Sequence, residues 1–154
     1  MQINLSQKER MILEDGKHQE DICVKKYQSF ANQAKDPQLK QLLNKLASEE
    51  QHHYNIINEL LQGKKPNLSH SNQVMSNAQT TTTSNMSFSN PEDAILCGDL
   101  LATEKYVSGF YDTGVFESVN KDVREALQHI QKEEQKHGEE LFNYMHVNGM
   151  YNVK

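Results

Sequence analysis

Displacing the chain by 84 positions lays its second half on its first without a gap, and the residues that coincide best are polar. Asp15 falls on Asp99, Glu20 on Glu104, Tyr27 on Tyr111 and Leu43 on Leu127. The block Glu49-Glu50-Gln51 falls on Glu133-Glu134-Gln135, and His53 falls on His137. Structural repeats ordinarily retain apolar positions, because those build the shared core. Carboxylates and imidazoles held in register need a cause of their own.

Each copy reads as a pair of helices with its own start and stop signals. Ser6 followed by Glu9 is a capping box that opens the first helix. Asp36-Pro37 ends it and starts the second, with Asp as N-cap and Pro at the first helical position. Gly63, then Lys64-Lys65-Pro66, ends that helix. Asn90-Pro91-Glu92-Asp93 repeats the cap-then-Pro device, Asn120 caps the fourth helix, and Gly149 lies just beyond its end. The expected layout is one domain over 1–154: a hairpin over 6–62, a linker over 63–90 and a second hairpin over 91–148.

The linker is rich in Ser, Asn, Thr and Gln, includes Thr80-Thr81-Thr82-Thr83, and cannot build a core of its own. Extended, such a segment reaches on the order of 90 Å, whereas a helix of similar length spans only about 40 Å. It can therefore run the length of a bundle. Two antiparallel hairpins joined by one long crossover predict an all-α, ferritin-like four-helix bundle.

Steps of three and four residues define an apolar seam on each helix. The first helix gives Leu13, Gly16, Glu20, Cys23, Tyr27 and Phe30; the second gives Leu39, Leu42, Leu46, Glu50, His53, Ile57 and Leu60. The third gives Ala94, Cys97, Leu101, Glu104, Tyr111 and Val115; the fourth gives Val123, Leu127, Ile130, Glu134, His137, Leu141 and Tyr144. Glu20, Glu50, His53, Glu104, Glu134 and His137 thus interrupt four apolar stripes near mid-helix. Burying a carboxylate without compensation costs several kcal/mol per ion even after relaxation, and no Lys or Arg occupies these seams. Two divalent cations would cancel four negative charges and use both imidazoles as neutral ligands. One Glu from each of two helices, plus Glu-x-x-His from each of the others, is the di-iron or di-manganese carboxylate pattern. The competing readings are an empty site, a single ion, and carboxylates kept protonated by burial.

Neighbouring residues divide by the same periodicity. Glu49 and His52 share the Glu-x-x-His spacing one position early and are expected to be solvated. Glu14, Glu133, Glu139 and Glu140 are expected on exposed faces, with His18, His129 and His146 at the surface and His70 in the linker. Tyr27 and Tyr111 lie two turns past the seam Glu of their helices, placed either to donate to ligand carboxylates across the bundle or simply to fill the core. Cys23 and Cys97 form no C-x-x-C motif and are expected as buried thiols.

Composition narrows the function classes. A net charge of −5 argues against nucleic acid as the main partner, and no apolar run approaches the roughly 20 residues that span a bilayer. The first residues, Met-Gln-Ile-Asn-Leu-Ser, lack the basic and apolar regions of a signal peptide, so a cytoplasmic site of synthesis is expected. No exposed apolar stripe is legible that would demonstrate self-association.

The stretches LLATEKYVSGFYDTGVFES and LQHIQKEEQKHGEELFNYM resemble the coat F family of spore coat proteins, and KYQSFANQAKDPQLKQLL with EEQHHYNIINELL resembles the same family's other hairpin. Glu20 to Ala31 is also similar to the first helix of rubrerythrin, where a Glu followed seven residues later by Tyr carries a metal ligand. The rubrerythrin resemblance implies the ligand set Glu20, Glu50, His53, Glu104, Glu134 and His137. The coat F resemblance implies a spore coat component made in the mother cell, with other coat proteins or itself as partner. Three functions follow as expectations: a structural or protective coat protein retaining a dinuclear iron or manganese site, an active di-metal oxidase or peroxidase, and a metal-free scaffold. Lack of a C-x-x-C pair means that a peroxidase cycle would draw electrons from an outside donor.

Overall fold

A computed structural model describes residues 2–69 and 90–154. Four helices follow in order: α1 (Gln7–Gln33), α2 (Pro37–Leu61), α3 (Pro91–Glu117) and α4 (Lys121–Val147). Each begins where its cap predicts. Ser6 accepts from the Glu9 N–H while the Glu9 carboxylate accepts from the Ser6 N–H, closing the capping box. Asp36, Asn90 and Asn120 accept from the first free N–H groups of their helices, each cap being worth about 1 kcal/mol. Gly63 sits at φ 75°, and a Cβ there would lie 3.2 Å from the Ile3 carbonyl oxygen, so glycine suits both the turn and the close approach. Its own carbonyl accepts from the Ile3 N–H at 2.8 Å and ties the N-terminal strap to the end of α2.

The chain leaves α2 at the Ile3 end and re-enters α3 at the opposite end, beside the α1–α2 turn. That fixes the direction of every helix, with α1 antiparallel to α2 and α3 antiparallel to α4. The connection itself, including His70 and Thr80–Thr83 of the expected 63–90 linker, lies largely outside the described residues.

The repeat becomes a reciprocal clasp at the two hairpin turns. Asp93 accepts from the Lys35 and Asp36 N–H groups at 2.8 and 3.0 Å. Glu9, which coincides with Asp93 in the repeat, accepts from the Val119 and Asn120 N–H groups at 2.9 and 2.6 Å. Each hairpin thus holds the other's turn with one buried carboxylate. Burial raises the Glu9 carboxyl, but donors from Asn120, Ser6 and Val119 outweigh it and hold the group below its ordinary value. Glu9 therefore contributes stability above the ordinary value of 4.5 that is lost as pH falls through the lower folded value. Asp93→Ala should cost roughly 2–4 kcal/mol in a urea melt, because one buried and one part-buried N–H lose a charged acceptor. A loss indistinguishable from that of an exposed carboxylate would remove the clasp from the account.

Two apolar clusters fill the bundle, one on each side of a polar layer. Leu13, Cys23, Ile57, Tyr111, Leu127 and Ile130 belong to the first. Tyr27, Leu43, Leu46, Cys97, Leu100 and Leu141 belong to the second. All four seams differ from expectation in places: Phe30 of α1 and Tyr144 of α4 are half-buried, and their neighbours Ala31 and Met145 are buried instead. In α2 the buried residue is Leu43, with Leu42 half-buried. In α3 Asp93, Leu100 and Gly114 are buried, whereas Ala94, Leu101 and Val115 are only partly so. That helix carries apolar residues on both faces, so its hydrophobic period does not single out the inner one.

Candidate metal centre

The polar layer gathers all six predicted seam residues. Glu20 comes from α1, Glu50 and His53 from α2, Glu104 from α3, and Glu134 and His137 from α4; all six are at most 3% exposed. The i, i+3 spacing sets each imidazole one turn from a carboxylate of its own helix. His53 Nδ1 lies 3.2 Å from Glu50 Oε2, 3.2 Å from Glu134 Oε1 and 3.8 Å from Glu20 Oε2. His137 Nδ1 lies 3.3 Å from Glu134 Oε2, 3.3 Å from Glu50 Oε1 and 3.8 Å from Glu104 Oε2. The two sets correspond atom for atom under the repeat. Glu50 and Glu134 each give one oxygen to both groups, while Glu20 and Glu104 each serve one. In both groups the four ligand-type atoms lie within 4.8 Å of one another. The two rings stack at 5.4 Å between centroids.

A cation fits this donor set on the evidence of its unsatisfied atoms. Glu20 Oε2, Glu50 Oε1, Glu104 Oε2 and both oxygens of Glu134 are buried without a hydrogen-bond partner. Buried carboxylate oxygens are seldom left so, and here they converge on two points. Oxygen donors with one imidazole per group suit a divalent ion of the iron or manganese type.

The outer oxygens are already engaged. The Tyr27 hydroxyl donates to Glu104 Oε1 and the Tyr111 hydroxyl donates to Glu20 Oε1, each across the bundle. Burial and the adjacent carboxylates push both phenols well up, so they remain donors. Each tyrosine turns one carboxylate oxygen outward and leaves the other facing the centre.

Two further carboxylates complete the layer, and sequence periodicity misplaces both. Glu133, expected on an exposed face, is 5% exposed and lies 2.8 Å from His53 Nε2. Glu49, expected to be solvated, is partly buried and lies 2.8 Å from His137 Nε2. His129, expected at the surface, is half-buried with Nε2 3.3 Å from Glu133, and His52 is half-buried as well. The α2–α4 packing is the reason: a residue beside the seam on one helix meets the other helix's histidine. The signal was present in the repeat, since Glu49 and Glu133 coincide just as Glu50 and Glu134 do.

Electrostatics describe what the layer does without a cation. Burial, then repulsion from Glu50, pushes Glu20 well up; burial and Glu134 do the same to Glu104. Burial alone would lower both histidines, but their carboxylate partners outweigh it and push His53 and His137 well up. Burial would raise Glu50, yet the facing His137 and His53 hold it down; burial and Glu50 would raise Glu134, yet Glu104, His137 and His53 hold it down. Protons thus occupy the roles that cations would fill. The cysteines are free and buried, Cys23 beside the layer and Cys97 farther along, with both thiols pushed up by burial and nearby carboxylates. They are inert at neutral pH.

Fold and polar layer together define a ferritin-like four-helix protein. The bundle superposes on the crystal structure of a two-domain protein from Anabaena variabilis containing DJ-1/ThiJ/PfpI-like and ferritin-like domains, with a TM-score of 0.71 and 15% identity. The match covers 98% of this chain and 40% of that one, so the chain spans well under half the length of that protein. Residues 92–154, about two-fifths of the chain, match the Coat F domain. A comparison with curated proteins gives no match. No helix among the described residues is long and apolar enough to cross a membrane.

Proposed function

We propose that this protein is a coat-associated ferritin-like protein whose bundle holds a dinuclear divalent metal centre. The observation that carries this reading is the set of five buried carboxylate oxygens without hydrogen-bond partners, arranged around two imidazole nitrogens. Glu20, Glu50, His53 and Glu134 would hold one ion; Glu50, Glu104, Glu134 and His137 would hold the other. When bound, a pair of such ions supplies concentrated positive charge and, with iron or manganese, the capacity to react with oxygen or peroxide.

The chain's own residues supply the rest. Tyr27 and Tyr111 orient the terminal carboxylates. Glu133 and Glu49 accept from the Nε2–H groups, which leaves each Nδ1 free of its proton and turned inward. The two apolar clusters exclude water from above and below. The Coat F match supports a location in the spore coat, and synthesis in the mother cell and contact with other coat proteins or with itself belong to the same proposal. The role is structural or protective, and in the protective version peroxide is consumed with electrons drawn from an outside donor.

Metal retention after desalting, followed by peroxide consumption with a generic reductant, tests the reading. Two retained ions with turnover support a protective role, two ions without turnover support a structural one, and no retained ion refutes the centre. Glu133→Ala should weaken metal binding by roughly 10- to 100-fold while leaving the stoichiometry intact. An unchanged titration curve would deny Glu133 its positioning role.

A further inference from the structure

The two hairpins agree inside the bundle and diverge outside it on one helix. On the outward face of α1 stand Glu14, His18, Lys25 and Asn32, all exposed. The same four positions on α3 are Gly98, Ala102, Gly109 and Phe116, also exposed. Phe116 is 82% exposed, and Tyr106 and Ile95, farther back along the same helix, are 83% and 71% exposed. A solvated helix face gains nothing from such residues. The glycines are the sharper anomaly. A Cβ built on Gly98 or Gly109 meets nothing within 4 Å, so no packing inside this chain requires glycine there. Glycine in a helix interior weakens the helix relative to alanine. What glycine offers is close approach of another backbone.

We infer that the outer face of α3 is a self-association surface, on which a second copy of this chain docks its own α3 in antiparallel orientation. Charge selects that occupant. Lys105 and Asp112 are exposed and lie seven residues apart on one edge of the stripe. Antiparallel self-pairing sets Lys105 against the partner's Asp112 and Asp112 against the partner's Lys105. The same register brings Gly109 to the crossing point and lays Phe116 over the partner's Ala102. A 27-residue helix is about 40 Å long and about 10 Å wide with its side chains, so the face of α3 supplies about 400 Å², roughly half of the ~800 Å² per partner of a stable interface, and the helices flanking it supply the rest. Sequence periodicity hides the stripe, because apolar residues run round α3 and blur the contrast between its inner and outer faces.

Sedimentation of the full-length, metal-loaded chain over a wide concentration range tests this. A dimer is expected. Gly109→Arg should raise its dissociation constant roughly 30-fold or more without lowering the melting temperature of the monomer, since the new side chain enters open space. Lys105→Asp and Asp112→Lys should each weaken the dimer, and the two together should restore it. Lys25→Glu, at the α1 position that coincides with Gly109, should leave it intact. A chain that stays monomeric, a dimer indifferent to Gly109→Arg, or a double reversal without rescue would each overturn the proposal.

Discussion

Chelating the metal from the loaded protein is expected to lower its melting temperature by roughly 15–30 °C at neutral pH and to reverse how stability depends on pH. The magnitude follows from linkage. A site filled at about a thousand times its dissociation constant adds about 4 kcal/mol, two sites add about twice that, and for a chain of this size each kcal/mol is worth about 2–4 °C. The reversal follows from the protons. Without metal, Glu20, Glu104, His53 and His137 all hold folded-state values above their ordinary ones of 4.5 and 6.5. The folded state then binds more protons than the unfolded state, and stability falls as pH rises from about 5 to about 8. With metal those protons are displaced, so acid competes with the ions and stability rises over the same interval. Glu50, Glu134 and Glu9 shift the other way and act only below 4.5, outside that window. Melts of both forms across this range decide the matter, and parallel curves would mean that protons alone neutralise the layer.

Ligand variants should separate by which group they serve. Glu50 and Glu134 lend an oxygen to each imidazole, so Glu50→Ala or Glu134→Ala should abolish both ions. Glu20→Ala touches one group only and should leave a single ion, as should Glu104→Ala. The expected stoichiometries are therefore none for the shared pair and one for the terminal pair. Glu50→Ala should also depress the melting temperature of metal-loaded protein far more than Glu49→Ala, because Glu49 reaches the centre only through His137. Equal losses at Glu20 and Glu50 would contradict the division into shared and terminal carboxylates.

Much of this arrangement was legible in the chain because the repeat and the helical period constrain different things. Caps at Ser6, Asp36, Asn90 and Asn120 set the helix starts, and matched polar residues inside apolar seams picked out the six-residue layer. Periodicity resolves a helix into an inner and an outer face, but it does not say how two helices approach. That is why Glu133 and Glu49 were misplaced: their burial depends on α2 and α4 meeting edge to edge. It is also why Glu9 and Asp93 read as first-turn carboxylates rather than as clasps on the opposite hairpin. On α3 the pattern failed for a different reason, since apolar residues on both faces erase the contrast that a seam needs. The tyrosines were placed on the right helices and the right face, and the fold decides between the two readings offered for them, since each hydroxyl reaches the other hairpin's carboxylate.

Elemental analysis of the purified chain, incubated with ferrous or manganous ion under anaerobic conditions and then desalted, tests the central claim most directly. The account predicts two ions retained per chain. Folded protein that retains none would show that the buried carboxylates are held by protons, and the dinuclear centre would have to be abandoned.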